Sequence, residues 1–301
     1  MLTVLIPTLN EGENLKILLP SIKHFLKVLS IDYEIFIIDG GSTDKTVEIA
    51  SKSNTQVIHQ SEHGYGKALA EGFARAHGEF VLTIDADYSH EPSFIETLWV
   101  NRYKAELLIA SRYVQGGKAE MSYNRLLLSR LLNSIFRLVL DINFRDLSSG
   151  YRLYRRSALR EIHPTGRNFD FLPEVLVRLM TEGFKVLELP FQYRPRREGR
   201  SHVKWFRFAL SYFQTLIRLR KIRMSVSAAD YDNRAFDSWI PLQKYWQRKR
   251  LDIVFGYLNP ELVTLDVGCG SSKIIQRLQR GIGLDFQLKK LRFLRGKTAA
   301  V

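Results

Sequence analysis

The chain is expected to fold as an α/β protein built on a mostly parallel sheet, and three observations lead there. Strand-like and helix-like segments alternate through the amino-terminal third. An apolar run, Phe80-Val81-Leu82-Thr83-Ile84, ends in two carboxylates, Asp85 and Asp87, with one small residue between them. Polar residues recur at the expected carboxyl ends of several strands, which is where ligands bind in sheets of this kind.

Taken in order, Leu2 to Pro7 is an apolar strand, and Glu13 to Leu29 places Leu15, Leu18, Leu19, Ile22, Phe25 and Leu26 at helical spacing. Tyr33 to Ile38 is a second strand, ending at Asp39-Gly40-Gly41-Ser42-Thr43-Asp44. Ser42 or Thr43 is placed to cap a helix over Lys45 to Ser51. Gln56 to His59 is a short strand, and Lys67 to Ala76 is a helix entered through a glycine-rich turn at Gly64 and Gly66. Phe80 to Ile84 lacks polar alternation, as a strand covered on both faces does. Leu107 to Ala110 leads into Ser111-Arg112-Tyr113. Strands alternating with helices imply right-handed crossovers, so Pro7 to Glu11, Asp39, Asp85, Asp87 and Arg112 converge at strand ends. Side chains of an extended chain alternate, which sends Asp85 and Asp87 to one side. Two hard oxygen donors there suit Mg²⁺ or Mn²⁺, which in turn holds a diphosphate. By themselves the two carboxylates are better read as a solvated turn that ends the strand, and it is the rest of the chain that favours the metal.

The pattern changes after residue 120. Leu126 to Leu140 reads as an apolar helix dotted with Arg125, Arg130 and Arg137. Val203 to Met224 mixes aromatic and aliphatic residues with a basic face, which suits either an interfacial helix at an anionic bilayer or a core helix with a solvated edge. Between them lies the basic loop Pro195 to His202. The 301 residues carry 45 Lys and Arg against 31 Asp and Glu, a net +14 that favours anionic partners. The basic residues cluster beside apolar helices rather than along a stripe of stacking aromatics, so no specific nucleic acid is expected. Cys269 is the only cysteine, which excludes an intramolecular disulfide and fits a reducing, cytoplasmic setting. The start lacks a basic leader, and no run reaches the roughly 18 apolar residues of a spanning helix. Any membrane contact is therefore expected at the surface, on the cytoplasmic face.

Six motifs in order resemble glycosyltransferase family 2, and most closely its dolichol-phosphate mannose synthase branch, over residues 1 to about 222. They are Ile6-Pro7-Thr8-Leu9-Asn10-Glu11, Ile38-Asp39-Gly40-Gly41-Ser42-Thr43-Asp44, Asp85-Ala86-Asp87-Tyr88-Ser89-His90, Ser111-Arg112-Tyr113, Asp146-Leu147-Ser148-Ser149-Gly150-Tyr151-Arg152 and Arg196-Arg197-Glu198-Gly199-Arg200-Ser201. The resemblance implies a GT-A-type fold. It places Pro7, Leu9, Glu11, Ile37 and Asp39 around the base and ribose of a nucleotide-sugar donor, with Ala86 against the ribose. Asp85, Asp87 and Ser89 would hold Mg²⁺ or Mn²⁺, and Arg196 with His202 would meet the diphosphate. Ser89 stands where relatives often have Gln, Leu9 where Tyr is common, and His202 where Lys is usual. Arg112, Arg125 and Ser129 would hold the phosphate of a polyprenyl acceptor. Asp87, Arg112 and Arg196 are the expected catalytic residues.

The implied reaction moves mannose from GDP-mannose to polyprenyl (dolichyl) phosphate with inversion. A UDP-glucose-dependent glucosyltransferase is the nearest alternative. The acceptor is already an anion, so catalysis rests on alignment and on neutralising the departing diphosphate. Glu174 either orients a sugar hydroxyl or complements a helix start. Membrane attachment is expected through the basic helix or through a membrane-anchored partner subunit.

Residues 1–224 form the expected glycosyltransferase domain. Residues 225–301 form a linker, Ser225 to Ala229, and a truncated segment. There Leu265-Asp266-Val267-Gly268-Cys269-Gly270-Ser271-Ser272 and Gly283-Leu284-Asp285 resemble class I S-adenosylmethionine-dependent methyltransferases. Ser272 replaces a third glycine and only the first two strand units are present. The expectation is a partial Rossmann-like fusion unable to methylate, with a bifunctional enzyme as the alternative and S-adenosylmethionine binding by residues 266–285 left open.

Overall fold

The computed structural model describes residues 1–194, 205–259 and 261–297. The chain divides into two compact units, Met1–Leu176 with Val186–Leu219, and Val177–Lys185 with Arg220–Val301.

The chain opens with β1 (Leu2–Thr8), α1 (Gly12–Val28), β2 (Tyr33–Asp39), α2 (Thr46–Lys52) and β3 (Gln56–His59). It continues through α3 (Tyr65–Arg75), β4 (Phe80–Thr83), α4 (Phe94–Val100), β5 (Leu107–Ser111) and β6 (Lys118–Ala119). Then come α5 (Tyr123–Leu140), β7 (Arg152–Arg155), α6 (Arg156–Leu159), α7 (Phe171–Thr181), β8 (Val186–Pro190), β9 (Gln192–Tyr193) and α8 (Trp205–Arg223). Seven strands make one sheet in the order β3-β2-β1-β4-β7-β5-β8. β1, β2, β3 and β4 are parallel, as are β5 and β8, while β7 runs antiparallel between β4 and β5. The sheet is thus mostly parallel as expected, but β4 has a parallel partner on one side only.

Burial explains the elements. Leu15, Leu18, Leu19, Ile22 and Leu26 of α1 are all fully buried, so its apolar stripe packs into the core, and each such residue contributes about 1.5–3 kcal/mol. Pro20 lies on the exposed face of α1, where water satisfies the carbonyl that lacks its N–H. Phe80, Val81 and Leu82 of β4 are buried, as their lack of polar alternation requires. Gly66 opens α3 against the 166–168 loop. A Cβ there would lie 2.7 Å from the Gly166 carbonyl and 2.9 Å from that of Asn168. The glycine-rich turn is therefore a packing device.

The second unit carries α9 (Tyr231–Phe236), α10 (Pro241–Tyr257), β10 (Thr264–Val267), α11 (Lys273–Arg277), β11 (Gly281–Leu284) and α12 (Leu288–Arg295). β10 and β11 form a separate parallel pair. Its cores are small: Phe236, Leu251 and Ile274 in one cluster, Cys269, Ile275 and Leu294 in another. Gly268 and Gly270 adopt positive φ of 75° and 56°. Of residues 225–229, expected as a linker, Val226 and Ser227 are exposed but the last two are packed. Ala228 and Ala229 are buried, and the Ala229 N–H donates to the Thr181 carbonyl at 2.9 Å.

Candidate active site

The turns after β1 and β2 are laced to each other. Asn10, at a φ of 57°, donates its N–H to Ser42 Oγ at 2.9 Å and accepts from the Thr43 N–H at 2.8 Å. Asp44 accepts from the N–H groups of Gly12 and Thr46 at 3.1 and 2.9 Å, and from the Thr46 hydroxyl. Burial opposes the Asp44 charge, but these donors outweigh it and hold the carboxyl below its ordinary range. Ser42 and Thr43 therefore join two turns, and neither caps α2, because Asp44 reaches the first free N–H group of that helix sooner.

This lacing positions the expected donor residues. Asp39 is buried and accepts from the N–H groups of Gly41 and Ser42 at 3.1–3.2 Å. Pro7 is half-buried, Leu9 is exposed, and Glu11 accepts from the Asn14 amide at 2.6 Å. Ile37 departs from expectation: it is fully buried in the core and offers a ligand no surface.

β4 stops at Thr83, so Asp85 and Asp87 stand in the turn beyond it and strand alternation does not orient them. Asp85 Oδ1 accepts from the Tyr65 hydroxyl at 3.0 Å, and the Asp85 N–H donates to His90 Nδ1 at 3.2 Å. His90 Nδ1 thus carries no proton. Burial lowers the imidazole pKa despite the nearby carboxylates, so the 3.7 Å approach to Asp85 Oδ2 is not an ion pair. Burial, with a further contribution from Asp87, raises the Asp85 carboxyl. Asp87 Oδ1 accepts from the N–H and the hydroxyl of Ser89 at 3.1 and 2.5 Å. Ser89 is itself 1% exposed, so its hydroxyl is spent orienting Asp87. Ala86 is 4% exposed.

The donor set fits a hard divalent cation. Two carboxylates from one turn supply part of an octahedral oxygen shell, leaving positions for phosphate and water. Among the described residues no group of three or more His, Cys, Asp or Glu side chains gathers as a metal site. Asp85 and Asp87 would therefore be the protein's carboxylate contribution.

Arg112, just past β5, is gripped by Asp146. Its Nε and Nη2 donate to the two Asp146 oxygens at 2.7 Å each, its N–H donates to Oδ2 at 3.0 Å, and Nη2 reaches Ser148 Oγ at 2.8 Å. Burial opposes both charges, yet each partner outweighs it: Arg112 is raised and Asp146 lowered. Glu188 Oε1 accepts from the Asp146 N–H at 2.8 Å and from the Ser111 hydroxyl at 2.7 Å, and so fixes the loop. Arg152, fully buried, donates to the carbonyls of Leu147, Ser149 and Leu172 at 2.6–2.8 Å. Nothing but the motif Asp146 to Arg152 pointed to these roles, and the functions of Tyr65, His90 and Asp146 were not anticipated.

A cavity of about 180 Å³ joins these groups. Asp85, His90 and Arg112 line it together with Arg125 and Ser129 of α5, and Leu128, Leu132 and Phe136 of the same helix form an apolar wall. The expected acceptor residues Arg112, Arg125 and Ser129 thus share one space with Asp85. Ser129 Oγ also accepts from the Tyr113 hydroxyl at 2.7 Å. Glu174 is not in this space. It is fully buried, accepts from the N–H groups of Thr165 and Gly166, and pairs with Arg218 at 2.7 Å, so it is structural. Arg196 and His202 lie outside the described residues.

The model of glycosyl transferase family 2 matches residues 3–163. A dolichol-phosphate mannosyltransferase of Pyrococcus furiosus is 33% identical over 231 residues, 73% of this chain and 63% of that protein. The chain thus spans less than two thirds of that relative. A polyprenol monophosphomannose synthase of Mycolicibacterium smegmatis is 32% identical over 211 residues, 65% of this chain and 78% of that protein. Glucosyl-3-phosphoglycerate synthase of Mycobacterium tuberculosis, solved with Mg²⁺ and UDP, superposes with a TM-score of 0.58 at 21% identity, covering 74% of this chain and 79% of that one. The same enzyme solved with Mn²⁺, UDP and glucosyl-3-phosphoglycerate gives 0.57. These structural likenesses support the GT-A-like form of the sheet. The methyltransferase-like reading of 225–301 gains no support. Matched by the family model over more than half its length, the chain belongs to glycosyl transferase family 2.

Proposed function

We propose that this chain is an inverting glycosyltransferase that moves mannose from GDP-mannose to a polyprenyl phosphate at the cytoplasmic surface of a membrane. The observation that carries the reading is the cavity shared by Asp85, Arg112, Arg125 and Ser129, with an apolar wall from α5. A phosphate headgroup suits its cationic end, and the first isoprene units suit the leucines. The curated relatives are named for mannosyl transfer of this kind, and the structural relatives hold a nucleoside diphosphate with Mg²⁺ or Mn²⁺.

Asp85 and Asp87 would hold the divalent ion, which when bound neutralises charge on the departing diphosphate. Tyr65 and Ser89 hold these two carboxylates in place. Arg112, kept cationic and rigid by Asp146, would bind the acceptor phosphate with Arg125 and Ser129. The bound phosphate oxygen is the nucleophile, so no residue need remove a proton. In-line attack on an α-linked donor yields a β-linked sugar phosphate. The turns at Pro7 to Glu11 and at Asp39 would receive the base and ribose, and Arg196 and His202 would meet the diphosphate.

No helix among the described residues is long and apolar enough to cross a membrane. The exposed Leu127, Leu131, Ile135 and Leu138 of α5 support a surface attachment, alone or with a membrane-anchored partner. The test is transfer of labelled sugar into an organic-extractable lipid. Polyprenyl phosphate is offered with GDP-mannose or UDP-glucose in parallel, with Mn²⁺ or with chelator. Label from GDP-mannose that needs metal and is lost in Asp87→Ala is expected. Label only from UDP-glucose would overturn the donor, and no label from either would overturn the acceptor.

A further inference from the structure

We infer that a second cleft, behind α5, is a docking site for the phosphate headgroup of an anionic diacyl phospholipid. Tyr113, Arg130, Asn133, Ser134, Arg137 and Arg145 line it, around a space of about 330 Å³. Four of these come from α5 at i, i+3, i+4 and i+7, the spacing of one helix face. None of the six is acidic, and none of the three guanidinium groups has an ion-pair partner among the described residues. Arg137 Nε is buried without a hydrogen-bond acceptor. Arg145 Nη1 reaches only the Tyr113 carbonyl, at 3.4 Å, and Arg130 lies over the Tyr113 ring at 5.9 Å. A buried donor without an acceptor, as at Arg137 Nε, is costly, and guanidinium forks match phosphate oxygens, so a multidentate anion suits the cleft.

The helix decides the source of that anion. α5 has three faces: one lines the active-site cavity, one lines this cleft, and the one beside the cleft exposes Leu127, Leu131, Ile135 and Leu138. Leu138 is 85% exposed. A soluble phosphate ester would satisfy the arginines and leave that stripe in water. A phospholipid satisfies both, its headgroup in the cleft and its acyl chains along the leucines.

The inference rests on the membrane-surface part of the proposed function, and the test separates the two. The full chain is floated with vesicles of phosphatidylcholine, with or without phosphatidylglycerol, containing neither polyprenyl phosphate nor donor. Wild type is compared with Arg130→Gln/Arg137→Gln and with Lys16→Gln/Lys52→Gln, which makes the same charge change on α1 and α2. Circular dichroism checks folding, and the exposed Arg130→Gln alone serves if the double variant unfolds. Loss of the two arginines is expected to weaken binding to phosphatidylglycerol vesicles roughly 30-fold, at about fivefold per charge. The lysine pair is expected to shift it far less. Equal losses from both pairs would mean general attraction and would overturn the cleft alone. Equal binding to neutral vesicles would also overturn it. Displacement by glycerol phosphate, beyond that by chloride at equal ionic strength, would give the cleft to a soluble ester. No vesicle binding by wild type would overturn the membrane reading as well.

Discussion

Replacing Asp146 by Asn removes a charge with 0% exposure from beneath a guanidinium that is itself 12% exposed. Asn keeps an acceptor for the Arg112 N–H and Nε, which share one oxygen, but turns an amide donor toward Nη2, so one strong hydrogen bond becomes a clash of donors. The Arg112 cation is then buried without its counter-charge. Breaking a buried pair from one side costs about 3–5 kcal/mol. For a chain of this size that corresponds to a melting-temperature fall on the order of 10 °C. Transfer activity should fall with it, mainly through a raised KM for the acceptor, because the guanidinium loses its counter-charge and the Nη2 bond that helps aim it into the cavity. Adding Arg112→Met removes the orphaned charge. The double variant should therefore recover most of the lost melting temperature but none of the activity. Calorimetry of the three variants with acceptor titrations is the assay. A melting temperature unchanged in Asp146→Asn would refute the buried pair. Recovered activity in the double variant would refute a role for Arg112 at the acceptor.

Three further outcomes follow from the same contacts. The folded Asp146 carboxyl lies below its unfolded value of about 3.9, so its stabilisation is complete above about pH 4 and fades as pH falls through the folded value. The stability gap between wild type and Asp146→Asn, measured by urea unfolding, should stay level from about pH 5 to 8 and narrow below about pH 4. Gly150→Ala would set a Cβ 2.5 Å from the Tyr65 hydroxyl and 3.0 Å from Asp85 Oδ1. Moving Asp85 should raise the Mn²⁺ concentration needed for half-maximal transfer at least several-fold, read by metal titration; an unchanged requirement would argue against Asp85 as a metal ligand. Burial raises the Cys269 thiol to about 11, so the folded chain should react with a thiol reagent at neutral pH far more slowly than the urea-unfolded chain. Equal rates would show that the second unit opens readily.

Reading the chain alone determined the alternating elements, because burial on helical or two-sided spacing is written locally. Leu15, Leu18, Leu19, Ile22 and Leu26, and the run from Phe80 to Leu82, needed no tertiary information. The motifs likewise marked Asp39, Asp85, Asp87 and Arg112 as candidates, since strand ends collect ligand-binding groups whatever the details of packing, whereas Arg125 and Ser129, on α5, were implied only by the family resemblance. Only the fold decided what each side chain touches. Ile37 sits by sequence in a strand near the turns after β1 and β2, yet the sheet and its helices cover it completely. Glu174 begins a helix, but the 165–166 turn and Arg218 close over it from positions distant in the chain. β7 inserts antiparallel between β4 and β5, an arrangement no local period encodes. The grip of Asp146 on Arg112 spans 34 residues, and Tyr65 reaches Asp85 across 20. Such pairs form because a buried charge must find a partner wherever the chain brings one, and spacing along the sequence carries no record of that search.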